Sequence, residues 1–228
     1  MNIAIILAGG TGNRIDAGIP KQFVMVNDKN LIEYSVETFQ QCPLIDEICI
    51  VMKEEFIPTM QTIIDQNKLS KVKHIIAGGK ERADSSIAAL KIYTADNDIL
   101  LFHDAARPLL TPDIICACID ALQHCNAAGT ATPTTDTIWQ ATDGQIASIP
   151  SRTTLWNAQT PQAFRRKTIA AAYKMAVEDP LFQPTDDCSV VHRYLPQEPI
   201  CIVKGNERNI KITYRKDLTL MRQLLNEE

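Results

Sequence analysis

The chain has no apolar run long enough to cross a bilayer. The apolar stretch at its start, 3–8, gives way at once to Gly9 and Gly10, whereas a span needs about 20 apolar residues. No basic segment precedes that stretch, so it does not read as an export signal. The expected compartment is therefore the cytoplasm, with no membrane partner. A broad excess of positive charge is also missing: 23 Lys and Arg stand against 27 Asp and Glu, a formal net charge of -4. Sequence-independent nucleic-acid binding needs a basic face, so nucleic acid is not an expected partner. Any phosphate must be met by a few local cations. No CxxC pair occurs among the seven cysteines, and the four histidines do not cluster with them at ligand spacing. That argues against a zinc site and a disulfide framework and for reduced thiols. Repeats, low-complexity tracts and long linkers are absent too. With 228 residues, one domain spanning 1–228 is the economical reading.

Present instead is a regular alternation. Strands are expected over 3–8, 47–52, 73–77 and 99–103, and helices over 31–41, 54–66, 82–93 and 112–124. Thr111 and Pro112 supply an N-cap followed by proline at the first helical position. Short continuous apolar strands separated by helices predict an α/β fold, a mostly parallel sheet with helices on both faces. The second half is less regular. A strand is expected over 127–135, a hairpin with strands 137–141 and 145–149 turning at Asp143-Gly144, and helices over 165–177, 186–192 and 216–226. Two further strands are expected over 200–204 and 209–213. The polar-rich hairpin would protrude as an arm, 136–156, available to a second subunit.

In a parallel sheet the ligand site lies beyond the carboxyl ends of the strands. Three segments fall there: 9–21, 78–86 and 103–108. The first reads Leu7-Ala8-Gly9-Gly10-Thr11-Gly12-Asn13-Arg14 and continues to Pro20-Lys21. Glycines after a first strand let backbone N–H groups approach phosphates. The spacing fails as a dinucleotide fingerprint, because Ile15 stands where a third glycine belongs, and it lacks the Gly-Lys-Ser/Thr of a Walker loop. A nicotinamide-dependent oxidoreductase therefore remains only as an alternative, as does a catalytically silent nucleotide binder. Arg14 and Lys21 beside such a bed of amides suit a triphosphate under attack.

Asp104, closing an apolar strand, needs a charged partner. Mg²⁺ held against substrate phosphates and Arg107 are the two candidates, and His103 reads as an orienting residue. The segment Gly78-Gly79-Lys80-Glu81-Arg82-Ala83-Asp84-Ser85-Ser86 either admits a flat base or simply starts a helix. Arg152, Lys211, Thr160 and Thr185 suggest a second pocket, cationic and rich in hydroxyls, suited to a phosphorylated polyol.

Taken together, LAGGTGNRI, PKQF, GGKERADSS, HDAARP, DTI, AQTPQAF, TDD and NIKIT resemble the methylerythritol-phosphate and ribitol-phosphate cytidylyltransferases. They occur in family order from residue 7 to 213. The resemblance implies a Rossmann-like nucleotidyltransferase fold, a homodimer joined by the hairpin arm, and CTP and Mg²⁺ as co-reactants with a polyol phosphate. It implies that Arg14, Lys21, Arg152 and Lys211 are catalytic. Leu7, Ala8, Gly9, Gly10, Thr11, Gly12, Gly79, Ser85, Asp104 and Ala105 would bind the nucleotide, with Asp104 also at the metal. Arg107, Thr137, Arg152, Thr160 and Thr185 would bind the acceptor, Thr137 and Arg152 serving the neighbouring subunit. Two departures stand out: LAGG is similar to the ribitol branch, and Lys80 replaces an aspartate of some members. HDAARP and LWNAQTPQAF resemble the methylerythritol branch and tip the balance towards methylerythritol phosphate.

Overall fold

The structure, a computed structural model, describes residues 1–10, 19–179, 181 and 183–227. Its frame is a seven-stranded sheet. Strand β1 (Asn2–Ala8) is followed by a two-residue pair, β2 (Met25–Val26) and β3 (Lys29–Asn30), and by α1 (Leu31–Gln41). Then come β4 (Glu47–Met52), α2 (Ile57–Asn67), β5 (Val72–Ala77), α3 (Arg82–Ile92), β6 (Ile99–Asp104) and α4 (Pro112–Ala121). The second half contains β7 (Ala127–Pro133), the hairpin strands β8 (Gln140–Thr142) and β9 (Gln145–Ser148), and β10 (Trp156–Arg165). It closes with α5 (Arg166–Ala176), α6 (Asp187–Tyr194), β11 (Ile200–Lys204) and α7 (Arg215–Asn226). The order across the sheet is β11-β7-β10-β6-β1-β4-β5. All strands run the same way except β10, which is antiparallel to both β6 and β7.

Strand β1 shows why both faces must be covered. Ala4, Ile6 and Ala8 pack into one core with Ile32, Val36 and Phe39 of α1 and with residues of α2 and α4. Ile3, Ile5 and Leu7 pack into the other, with Leu90 of α3, Ile169 of α5 and Val191 of α6. Alternate side chains of a strand point to opposite faces, so a run without polar residues needs helices on each side. A third, smaller cluster joins Val24, Val26 and Leu31 to Ile212, Leu218 and Met221, and seats α7.

Most expected elements stand within a few residues of their predicted bounds, and the differences have physical causes. The first helix of the 54–66 pattern opens as a 3₁₀ turn, Glu54–Phe56, before α2. The hairpin is present and its turn is Asp143-Gly144, both with positive φ (52° and 77°), as a two-residue hairpin turn of this kind requires. Its first strand starts at Gln140 rather than 137. Strand β10 was not expected, because Gln159, Thr160, Pro161 and Gln162 break the apolar alternation. A register shift between Ala158 and Gln162 absorbs the proline, which cannot donate to a ladder. Conversely, 209–213 is not a strand. Its fully buried positions, Asn209 and Ile212, are three residues apart rather than two, and β6 is already paired on both edges by β1 and β10. The segment instead lies across the end of β6, held by Ile212 N–H donating to the Ala106 carbonyl at 2.8 Å.

Candidate active site

The site forms where β1, β5 and β6 end. Gly9 and Gly10 follow β1, and Gly78 and Gly79 follow β5. The two glycine pairs close on the start of α3. A Cβ on Gly78 would lie 2.5 Å from Ser85 Oγ, and one on Gly79 would collide with the Asp84 side chain. Only glycine permits this approach. Ser85 is buried, and its Oγ lies 3.5 Å from where a Gly9 Cβ would stand.

Lys21 reaches the same place. Pro20 leads into a 3₁₀ turn, Lys21–Phe23, pinned by Gln22 Nε2 donating to the Ala8 carbonyl at 3.0 Å. A Cβ on Gly10 would lie 3.5 Å from Lys21 Cε and 4.0 Å from its Nζ. The ammonium also donates to the Ile212 carbonyl at 3.5 Å. The glycine bed and the cation predicted to serve it are thus adjacent. Arg14, Thr11 and Gly12 lie outside the described residues.

Asp104 ends β6 in a cage of positive charge. Its Oδ1 accepts from Arg82 Nε at 3.2 Å, and its Oδ2 pairs with Lys211 Nζ at 2.7 Å. Burial works against a charged carboxyl, yet Arg82 and Lys211 outweigh it and hold Asp104 well below the usual carboxylate range. Arg82 in turn bridges to Asp187, Nη1 to Oδ2 at 2.6 Å. Burial alone would lower the Arg82 pKa, but Asp187 and Asp104 together raise it. Lys211 is aimed by its anchored neighbours: Asn209 Nδ2 donates to the Thr160 carbonyl at 2.9 Å, and Ile212 is buried. One cavity is lined by Leu7, Ala8, Gly9, Gly10, Gly79 and Ser85 on one side. Lys21, Asp104, Ala105 and Lys211 complete the sequence-predicted set. Lys80, Arg82, Gln22 and Ala106 line it as well. Of these, Arg82 is the cavity-lining cation between two carboxylates that sequence reasoning passed over. Its signal was a cation at the first position of α3, inside a segment already singled out.

The remaining predicted residues sit elsewhere. Arg107 does not pair with Asp104. Its Nη1 donates to the Asn209 carbonyl at 2.7 Å and its Nη2 to the Ala158 carbonyl at 3.1 Å, so it is buried as a clamp on the chain carrying Lys211. Thr160 is also buried, and its hydroxyl accepts the Asp104 N–H at 3.1 Å. Thr137 and Arg152 are exposed near the hairpin, and Arg152 Nη1 donates to the Thr135 carbonyl at 3.3 Å. Thr185 is exposed in the turn before α6. Arg152, Thr160, Thr185 and Lys211 therefore do not form the separate cationic pocket that was expected. Lys211 faces the glycine-lined cavity, Thr160 lies beneath Asp104, and no hairpin residue lines that cavity.

Nor do these side chains fit a protein-held Mg²⁺. Both Asp104 oxygens are taken by side-chain cations. Among the described residues no three His, Cys, Asp or Glu side chains gather as a metal site. Asp104 was expected at the metal; in this structure its two oxygens meet Arg82 and Lys211.

His103 orients rather than reacts. Its Nε2 faces the Arg107 carbonyl at 3.1 Å and its Nδ1 faces Thr160 Oγ1 at 3.1 Å. A carbonyl only accepts, so Nε2 carries the hydrogen and Nδ1 accepts from the Thr160 hydroxyl. That leaves a Thr160 lone pair for the Asp104 N–H. Burial pushes the His103 pKa from its ordinary 6.5 down to about 4. A depressed folded pKa means stability that is fully present above pH 6.5 and lost as pH falls from 6.5 through 4, about 3 kcal/mol at most. Thermal melts should therefore decline over that window, and His103→Asn should flatten the slope. Equal slopes for both proteins would contradict this assignment.

The whole chain has relatives. Residues 2–227 match the model of the family IspD, 2-C-methyl-D-erythritol 4-phosphate cytidylyltransferase. The chain is 42% identical to a protein of that name from Thermobifida fusca, over 97% of this chain and 92% of that one. It is also 40% identical to a bifunctional ribulose 5-phosphate reductase/CDP-ribitol pyrophosphorylase from Haemophilus influenzae, over 98% of this chain and 48% of that one. Its fold matches the crystal structure of 4-diphosphocytidyl-2C-methyl-D-erythritol synthase from Anaerococcus prevotii. There the TM-score is 0.88 at 28% identity, covering 99% of this chain and 96% of that one. With the two glycine turns, Lys21 and Lys211 meeting at one sheet edge, the chain belongs to the IspD family of 2-C-methyl-D-erythritol 4-phosphate cytidylyltransferases.

Proposed function

We propose that this enzyme transfers CMP from CTP to the phosphate of 2-C-methyl-D-erythritol 4-phosphate and releases pyrophosphate, a step of isoprenoid precursor synthesis. The observation that carries the reading is the convergence of Lys21 and Lys211 on the glycine-lined end of β1, in a chain 42% identical to a relative bearing that name. A non-bridging oxygen of the acceptor phosphate attacks the α-phosphorus of CTP in line, and the bond to the pyrophosphate oxygen breaks. Both partners are anions, so the protein's work is orientation and charge neutralisation. Lys21 and Lys211 neutralise the phosphates as negative charge gathers at the α-phosphorus. Arg14 is proposed as a third cation on them. Gly9, Gly10 and Gly79 let backbone amides approach the nucleotide, and buried Ser85 sets the depth of its pocket. CTP enters as its magnesium complex, with the ion carried on the phosphate oxygens as part of the substrate.

The chain acts as a single domain whose arm, 136–156, pairs with a second subunit. Five large apolar side chains, Ile138, Trp139, Ile146, Ile149 and Trp156, are exposed along that arm, which supports burial in a homodimer. Thr137 and Arg152 then serve the partner's acceptor site. Thr185 is proposed to contact the acceptor directly, whereas Arg107 and Thr160 support it by holding Lys211 and Asp104. Seven free thiols fit a reducing cytoplasm. Among the described residues no helix is long and apolar enough to cross a membrane.

The ribitol 5-phosphate reading stands second, favoured by the LAGG turn and by the Haemophilus influenzae relative. A pyrophosphate-release assay with CTP and each polyol phosphate, side by side, separates the two. Methylerythritol phosphate should give the higher kcat/KM, by ~10-fold or more, the scale of one chain carbon more or less in a fitted pocket. Faster turnover of ribitol 5-phosphate would reverse the order. Release with neither would overturn CMP transfer.

A further inference from the structure

We propose that Asp187 is a positioning residue for CMP transfer, acting through Arg82 on Asp104 and Lys211. The inference rests on the function proposed above. Asp187 is the first residue of α6 and fully buried, in the layer of helices on one face of the sheet. From it a row of alternating charges runs to the cavity. Asp187 pairs with Arg82 at 2.6 Å, Arg82 with Asp104 at 3.2 Å, and Asp104 with Lys211 at 2.7 Å. Only the last three reach the cavity wall.

Asp187 is itself fixed. Its Oδ1 accepts from the Ser86 hydroxyl and from the Tyr173 hydroxyl, each at 2.7 Å. Its N–H donates to Gln162 Oε1 at 3.0 Å. Gln162 lies just past the β10 irregularity, so AQTPQAF, through the backbone N–H, and GGKERADSS, through the carboxylate, both meet this residue of TDD. Starting α6 does not require the Asp187 charge, because the preceding Asp186 caps the helix, accepting from Ser189 N–H at 2.8 Å. What the charge does is hold Arg82. A guanidinium between two carboxylates is pulled both ways, and it is shared. Asp104 is thereby left with an oxygen for Lys211, and Lys211 is held at the cavity where the triphosphate lies.

Asp187→Asn tests this closely. The asparagine oxygen still accepts from Ser86 and Tyr173, while its amide turns a donor towards Arg82. We expect kcat to fall ~10-fold or more, with KM for CTP changed far less, in a protein whose circular dichroism matches wild type. In an Arg82→Met background the same substitution should cost nothing further, because residues acting as one unit are non-additive. A purely structural role predicts losses that multiply in the two backgrounds, and that outcome, or a wild-type kcat for Asp187→Asn, overturns the proposal. If Asp187→Asn does not fold, Tyr173→Phe enters the same cycle. It removes one hydrogen bond to Asp187 and should lower kcat two- to threefold only where Arg82 is present. An equal loss in both backgrounds overturns the proposal again. Wild-type protein that releases no pyrophosphate overturns the proposed function and this inference together, whereas active wild type with multiplicative losses overturns the inference alone.

Discussion

Lys21→Ala will lower kcat for CMP transfer by ~100-fold or more, the scale of losing one fixed group that meets developing charge. Its fold will stay intact. The turn carrying Lys21 is held by buried Gln22 and Phe23 and by the Gln22 bond to the Ala8 carbonyl. The Lys21 ammonium itself donates to the Ile212 carbonyl at 3.5 Å, a long contact at the cavity wall. The pocket wall is therefore kept while a cation beside Gly10 disappears. Steady-state rates with saturating CTP and acceptor, read against thermal melts, check this. Lys21→Arg should recover part of the rate, since charge returns with a different shape. Turnover near wild type in Lys21→Ala would remove Lys21 from the chemistry.

Lys211→Ala will be the second severe loss, lowering kcat/KM for CTP by ~100-fold. Lys211 is half exposed, so solvent screens its side of the pair, and Arg82 supplies the larger share of the charge attraction that stabilises the Asp104 carboxylate. Asp104 keeps Arg82 when Lys211 is gone, and no buried carboxylate is left without a cation. The melting temperature should shift by no more than about 4 °C, the response of a chain this size to about 1 kcal/mol. A large fall in melting temperature with activity retained would instead make Lys211 a structural residue.

The parallel half of the fold was legible because its signals are local. Helix α1 and strand β4 fall where periodicity placed them, at Leu31–Gln41 and Glu47–Met52. Strand β10 was hidden because its polar residues serve contacts that no local pattern reveals. Gln162 reaches the start of α6 and Thr160 reaches Asp104. The segment 209–213 misled for the opposite reason: its letters alternate, but its buried positions, Asn209 and Ile212, are three apart and both edges of β6 are taken. At the cavity, spacing and strand-end logic pointed to the glycine pairs, Lys21 and Asp104, whereas Lys211 was expected in a separate pocket. Arg107 was misread because an arginine after a strand-end aspartate looks like its partner. In the folded chain that guanidinium reaches carbonyls of Asn209 and Ala158, far away in sequence. Arg82 and Asp187 escaped notice for the same reason, since their pairing spans α3 and α6.

The most direct test is a crystal structure of the enzyme with magnesium and a CTP analogue that cannot be cleaved at the α-phosphorus. The phosphates should lie over Gly9 and Gly10, with Lys21 Nζ and Lys211 Nζ both within hydrogen-bond reach, about 3 Å, of their oxygens. A triphosphate bound at another edge of the sheet, or bound here with both ammonium groups turned away, would contradict the account.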